Sequence, residues 1–107
     1  MKRYGMAIRI RPENLDEYKR LHADVWPGVL KMIGDCNIRN YSIYHKDDMM
    51  FSYFEYVGDD FNADMAKMAA DPTTRKWWDV CKPLLAPLET RASGEFWADM
   101  EEVFHCP

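Results

Sequence analysis

The sequence predicts an α+β fold of the ferredoxin-like βαββαβ type, and three observations carry that reading. Four stretches alternate with a period of two, as half-buried strands do. The segments between them place apolar and aromatic residues at steps of three and four, the spacing of one helix face. The resulting order, strand, helix, strand, strand, helix, strand, is that of an antiparallel sheet with helices on one side. With 107 residues the chain has room for a single core, so residues 1–107 read as one domain.

Residues 4–11 set Tyr4, Met6, Ile8 and Ile10 against Gly5, Ala7 and Arg9. Pro12 and Asn14 end this strand, and Asn14 is placed to cap the next helix. Over residues 15–26, Leu15, Tyr18, His22 and Val25 form one apolar helical face. Pro27 breaks that run and starts a short helix over residues 28–35. The second strand, 38–45, turns Tyr41 and Ile43 one way and Ser42 and Tyr44 the other. Asp47-Asp48 is the expected hairpin turn, followed by an aromatic third strand over 49–57. Gly58 closes that strand, and Asp59 or Asp60 caps a helix running to Ala70. Asp71-Pro72 interrupts it, and Thr73 or Thr74 opens a further helix bearing Trp77, Trp78 and Val80. Pro83 and Pro87 bound a loop to Gly94, and a last strand is expected over 95–104, with Phe96, Ala98 and Met100 facing away from Trp97, Asp99 and Glu101.

Apolar side chains occur on both faces of the first and third strands. A monomer would leave too much of that surface wet, which predicts a homodimer packed through the sheets. Composition narrows the partners further. Eighteen acidic residues against fourteen basic ones give a net charge of −4, and no basic stripe exists for nucleic acid or an anionic membrane. Apolar runs such as 49–51 are far short of a membrane span, and the N-terminus has no apolar signal core. Cys36, Cys81 and Cys106 cannot all pair within one chain and form no Cys-x-x-Cys, so reduced thiols and a cytoplasmic location are expected.

Tyr18 and His22 lie one helical turn apart, and histidine can exchange protons near neutrality. Spacing alone fits a plain core stripe better. Trp77 and Trp78 diverge by about 100° around their helix, so one narrow stripe cannot hold both. Indoles suit the apolar faces of sugars, and equally suit core and interface positions. The strand tyrosines, Tyr41 among them, could donate to hydroxyls. His22, His45 and His105 are far apart in sequence without metal-ligand spacing, and no phosphate loop or nucleophile elbow occurs. No cofactor or metal is therefore expected. The chemistry left is proton transfer on a small polar ligand.

The segments His22-Ala23-Asp24-Val25-Trp26-Pro27, Asn40-Tyr41-Ser42-Ile43-Tyr44, Lys76-Trp77-Trp78 and Glu102-Val103-Phe104-His105 resemble the L-rhamnose mutarotase family, in order and over essentially the whole chain. Cys106 stands where an apolar residue is commoner. The resemblance implies a dimeric α+β barrel and a cofactor-free isomerase of rhamnose metabolism that interconverts sugar anomers. It makes His22 the proton donor and Tyr18, Tyr41, Trp77 and Trp78 the sugar contacts. The general base is left open between a tyrosine, a carboxylate, a water and His22 itself. The alternatives are a mutarotase of a related 6-deoxy sugar such as L-fucose and a dimeric barrel that binds sugar without catalysis.

Overall fold

The structure, a computed structural model, describes residues 1–107. Strand β1 (Lys2–Ile10) leads through a single 3₁₀ turn (Pro12–Asn14) into α1 (Leu15–His22) and α2 (Pro27–Asp35). The hairpin β2 (Ile38–Lys46) and β3 (Met49–Tyr56) follows, then α3 (Phe61–Ala70) and α4 (Pro72–Cys81). A second 3₁₀ turn (Lys82–Leu84) precedes β4 (Leu85–Ala86), and β5 (Ala98–Met100) completes the sheet. The strands pair antiparallel in the order β2-β3-β1-β4, with β5 also on β1. This is the α+β, ferredoxin-like arrangement the alternation pattern predicts.

The register sorts the two sheet faces. Tyr4, Met6 and Ile8 lie opposite Phe54, Ser52 and Met50, and this inner face packs beneath the helices. Core groups form there around Ile8, Ile10, Tyr18, Met50 and Leu85, and around Leu21, Val29, Trp77 and Cys81. A third group joins Ile38, Phe54 and Tyr56. The other face carries Gly5 and Ala7 opposite Tyr53 and Phe51. No helix covers that side, where Met49, Phe51 and Tyr53 are half-buried and Tyr44 is exposed.

Four local expectations are revised. Helix α1 ends at His22 rather than Trp26, because Trp26 precedes a proline and is held extended at φ −59°, ψ 133°. Asn14 does not cap α1: its backbone is already helical, and its side-chain amide donates to the Leu84 carbonyl at 3.2 Å. The last strand is far shorter than residues 95–104. Its β1 edge is shared, with Leu85 and Ala86 pairing Ile10 and Arg9 while Ala98, Asp99 and Met100 pair Ala7, Met6 and Gly5. Beyond Met100 the ladder stops; an Arg3–Glu102 ion pair of 2.9 Å continues the alignment, and Val103 and Phe104 are exposed. Finally, α4 starts at Pro72 with Asp71 as its cap, not at Thr73 or Thr74. Strand β2 carries a bulge between Arg39 and Ser42, with Asn40 in the left-handed region at φ 51°, and still turns Tyr41 and Ile43 to one side.

Aspartates set the helix junctions. The Asp60 carboxylate accepts from the Ala63 amide at 3.1 Å and caps α3. Asp71 ends α3 and caps α4, accepting from the Thr74 amide at 2.9 Å and the Thr74 hydroxyl at 2.8 Å. Its neighbour Pro72 fills the first turn, where no amide donor is needed.

Candidate active site

Between the inner sheet face and the helices lies a cavity of about 580 Å³, lined mostly by apolar and aromatic side chains. All five sequence-predicted residues, Tyr18, His22, Tyr41, Trp77 and Trp78, line it together. Residues separated by most of the chain are thus brought to one chamber by three elements, α1, α4 and the bulged β2. A larger groove of about 730 Å³ follows the N-terminal end of β1 and the tail, but its lining mixes charged and apolar side chains and contains none of these five. The aromatic chamber has the few convergent polar groups within apolar walls that a small-ligand site needs.

His22 sits in the last turn of α1, and its geometry is tightly set. Nδ1 lies 2.8 Å from the Tyr18 carbonyl, so Nδ1–H donates there and Nε2 is left for a ligand. The imidazole stacks on the Tyr18 ring with centroids 4.1 Å apart and meets Trp77 edge-on at 5.2 Å. Trp26 braces the far side of Trp77 at 5.1 Å. Burial lowers the His22 pKa below its ordinary value, with the hydrogen bond to the Tyr18 carbonyl opposing the shift. The imidazolium that forms is therefore a stronger acid than a solvated one.

The phenols are held in the opposite sense. Burial raises Tyr18 well above the usual phenol range, with Tyr41 adding to the effect. Tyr41 is 44% exposed as a residue, yet burial is also what raises its phenol: the bulge leaves one flank in solvent while the hydroxyl end is enclosed. Both phenols stay protonated at neutral pH and can donate hydrogen bonds to a polyol. Cys81, also in the lining, is pushed up to about 11 by burial and stays a thiol.

Trp77 is 6% exposed and packs with Leu21, Val29 and Cys81. Trp78 is half-buried beneath Lys82, whose Nζ stands 4.6 Å from the indole centroid and 5.2 Å from that of Phe96. The expected divergence of the two indoles is present, yet both reach the chamber wall. Sequence reasoning did not single out Lys82, Glu95, Trp97 or Asp99, which also line it. The alternation of the last strand had put Trp97 and Asp99 on one face, and that was the available signal. Elsewhere, no three His, Cys, Asp or Glu side chains converge in a metal-binding group, and no helix is long and apolar enough to cross a membrane.

Known proteins are similar to this chain in sequence and in fold. The family model for L-rhamnose mutarotase matches residues 3–106. An L-rhamnose mutarotase from Oceanobacillus iheyensis is 29% identical over 113 residues, covering 98% of each chain. Another, from Phocaeicola vulgatus, is 35% identical over 87 residues, covering 79% of this chain and 81% of its own. The crystal structure of an L-rhamnose mutarotase from Formosa agariphila has the same fold, with a TM-score of 0.77, 20% identity and full coverage of both chains. A match that takes in nearly every residue, from β1 through the exposed tail, places the chain in the L-rhamnose mutarotase family.

Proposed function

We propose that this chain, acting as one mutarotase domain, interconverts the α and β anomers of L-rhamnopyranose in the aromatic chamber. A pyranose changes anomer by opening to the free aldehyde, rotating about the C1–C2 bond and closing on the other face of C1. Opening requires one proton delivered to the ring oxygen O5 and one removed from the anomeric hydroxyl O1. His22 supplies the first. Its Nδ1–H is tied to the Tyr18 carbonyl in either protonation state, so the exchangeable proton is the one on Nε2. Burial weakens the hold on that proton and favours its delivery, at the expense of a smaller protonated fraction at neutral pH.

Binding falls to the other four residues. The indoles of Trp77 and Trp78 offer flat apolar surface for the C–H faces and methyl group of a 6-deoxy sugar. The protonated phenols of Tyr18 and Tyr41 donate to its hydroxyls. Neither proton transfer calls for a metal or nucleotide. The uncovered apolar sheet face supports a homodimer, and three free thiols suit a reducing, cytosolic setting.

The observation that carries the reading is the His22 imidazole, oriented by a backbone carbonyl and wedged between Tyr18 and Trp77 in the chamber wall. Saturation-transfer NMR on purified protein with L-rhamnose, L-fucose and D-glucose tests it. The expected result is accelerated anomer exchange of L-rhamnose, unchanged after dialysis against a chelator. Faster exchange of L-fucose would reassign the substrate. Binding of sugar with no accelerated exchange would leave a sugar-binding barrel.

A further inference from the structure

We propose that Asp99 is the second proton-transfer group of this chamber, accepting the proton of the anomeric hydroxyl while His22 supplies the ring oxygen; the inference rests on the mutarotase reading. Ring opening moves two protons at two different oxygens, and His22 accounts for one. The other needs a base, and few groups in the lining qualify. The phenols of Tyr18 and Tyr41 are held protonated, and Cys81 is held as a thiol. Lys82 is a cation seated over the rings of Trp78 and Phe96. Two carboxylates remain, Glu95 and Asp99.

Their placement separates them. Glu95 is engaged in holding its own loop: Oε1 accepts from the Ala92 amide at 2.9 Å and Oε2 from the Asp99 amide at 3.4 Å. Those bonds keep its carboxylate weakly basic, below the usual range. Asp99 pairs with Met6 in the β1–β5 register and so lies on the inner, chamber side of the sheet. Asp99 is exposed as a residue, at the border of chamber and groove, and partial burial there and then the adjacent Glu95 carboxyl raise its pKa, which makes it the better proton acceptor. It stands on the sheet wall, whereas His22 projects from the helical wall, so a sugar between the layers meets one group from each side.

The step balances. The Asp99 carboxylate takes the proton from O1 as the O1 electron pair forms the C1=O1 double bond. The C1–O5 bond breaks with its pair on O5, which takes the proton from His22 Nε2. After rotation about C1–C2, O5 returns that proton to His22 and adds to the opposite face of C1, while O1 recovers its proton from Asp99. Both residues end as they began.

The active form has His22 protonated and Asp99 ionised, so the rate should be bell-shaped in pH. The charged groups facing Asp99 are Lys2 on β1, Glu95 in the preceding loop, and His22 and Lys82 across the chamber. Arg3, Glu101, Glu102 and His105 share with it the groove along the sheet edge. Lys2 draws the acid limb down and Glu95 pushes it up.

Saturation-transfer NMR on L-rhamnose across the acid and neutral range, with sugar titration and thermal melting of the same samples, tests the assignment. Asp99→Asn is expected to melt like the parent and bind sugar, yet exchange anomers about 10²–10⁴-fold more slowly, with the acid limb gone. Glu95→Gln is expected to move the acid limb to lower pH. Should Asp99→Asn fail to fold, Asp99→Glu keeps a carboxyl and should exchange anomers with a displaced acid limb. A folded Asp99→Asn protein at close to the parent rate with its acid limb intact overturns the assignment, as does an acid limb unmoved in both Glu95→Gln and Asp99→Glu. A parent chain that leaves the anomers unexchanged overturns the mutarotase reading itself.

Discussion

His22 is constrained by a backbone carbonyl, a stacked phenol and an indole edge, so its nitrogen is aimed before any sugar arrives. That preorganisation makes a sharp test possible. His22→Asn keeps a polar side chain of similar size and removes the proton donor; sugar affinity should persist while anomer exchange slows by about 10²–10⁴-fold. In the parent, exchange should fall as pH rises through the depressed His22 value, and NMR rates against pH should show that limb vanish in the variant. The same shift has a stability consequence. The folded pKa lies below the unfolded value of about 6.5, so the unfolded chain binds this proton more tightly. Stability should therefore decline as pH falls below about 6.5, and calorimetry should find that component absent in His22→Asn. Tyr18 and His22 were legible because a helix puts residues four apart on one face. Asp99 was not, because its relation to the chamber depends on a register with Met6 at the other end of the chain.

Helix α4 delivers both indoles, and one side chain governs how it starts. Asp71 closes α3 and accepts two hydrogen bonds from Thr74, a residue that is itself buried. Asp71→Ala removes this cap, and such losses typically cost about 0.5–2 kcal/mol. We expect a lower melting temperature together with weaker L-rhamnose binding by titration, since Trp77 and Trp78 hang from the helix so loosened. A drop in stability with unchanged affinity would show that the indoles are held by packing alone. The Asp71-Pro72 break was legible because local chemistry sets it. The side Tyr41 faces was legible from the alternation it shares with Ile43; the bulge beside it was not, since its pivot, Asn40, takes a left-handed backbone and donates to Glu55 across the hairpin at 2.7 Å. Asn14 misled for the opposite reason: its cap chemistry was right locally, but the Leu84 carbonyl claimed the side chain.

The whole molecule presents two unlike sheet faces. One is roofed by helices and encloses the chamber. The other has Gly5 and Ala7 at its middle and Met49, Phe51 and Tyr53 around them, a shallow apolar floor that no helix covers and that Met100 reaches only at Gly5. We expect light scattering at micromolar concentration to report twice the chain mass. Phe51→Asp, which sets a charge on that floor without touching the chamber lining, should shift the mass to one chain. A parent that scatters as a single chain would remove the dimer. The two-sided apolar strands made this surface legible in outline. The length of the final strand was not, because two separate segments divide one edge of β1 and no local pattern reveals how that edge is allotted.

That division of the β1 edge has a further meaning. Residues 87–97 leave the strand after Ala86 and return to it at Ala98, supplying Gly94, Glu95, Phe96 and Trp97 to the chamber on the way. Their ends are clamped by ladders that ignore what lies between. The outer part of such a segment is an interchangeable cassette: ahead of Glu95, Phe96 and Trp97, which bond or pack against the rest of the fold, sequence and length can drift at little thermodynamic penalty, while His22 and the indoles stay fixed on helices. Discrimination among sugars can thus evolve, or be engineered by swapping that stretch between relatives, provided Glu95 stays beside Asp99.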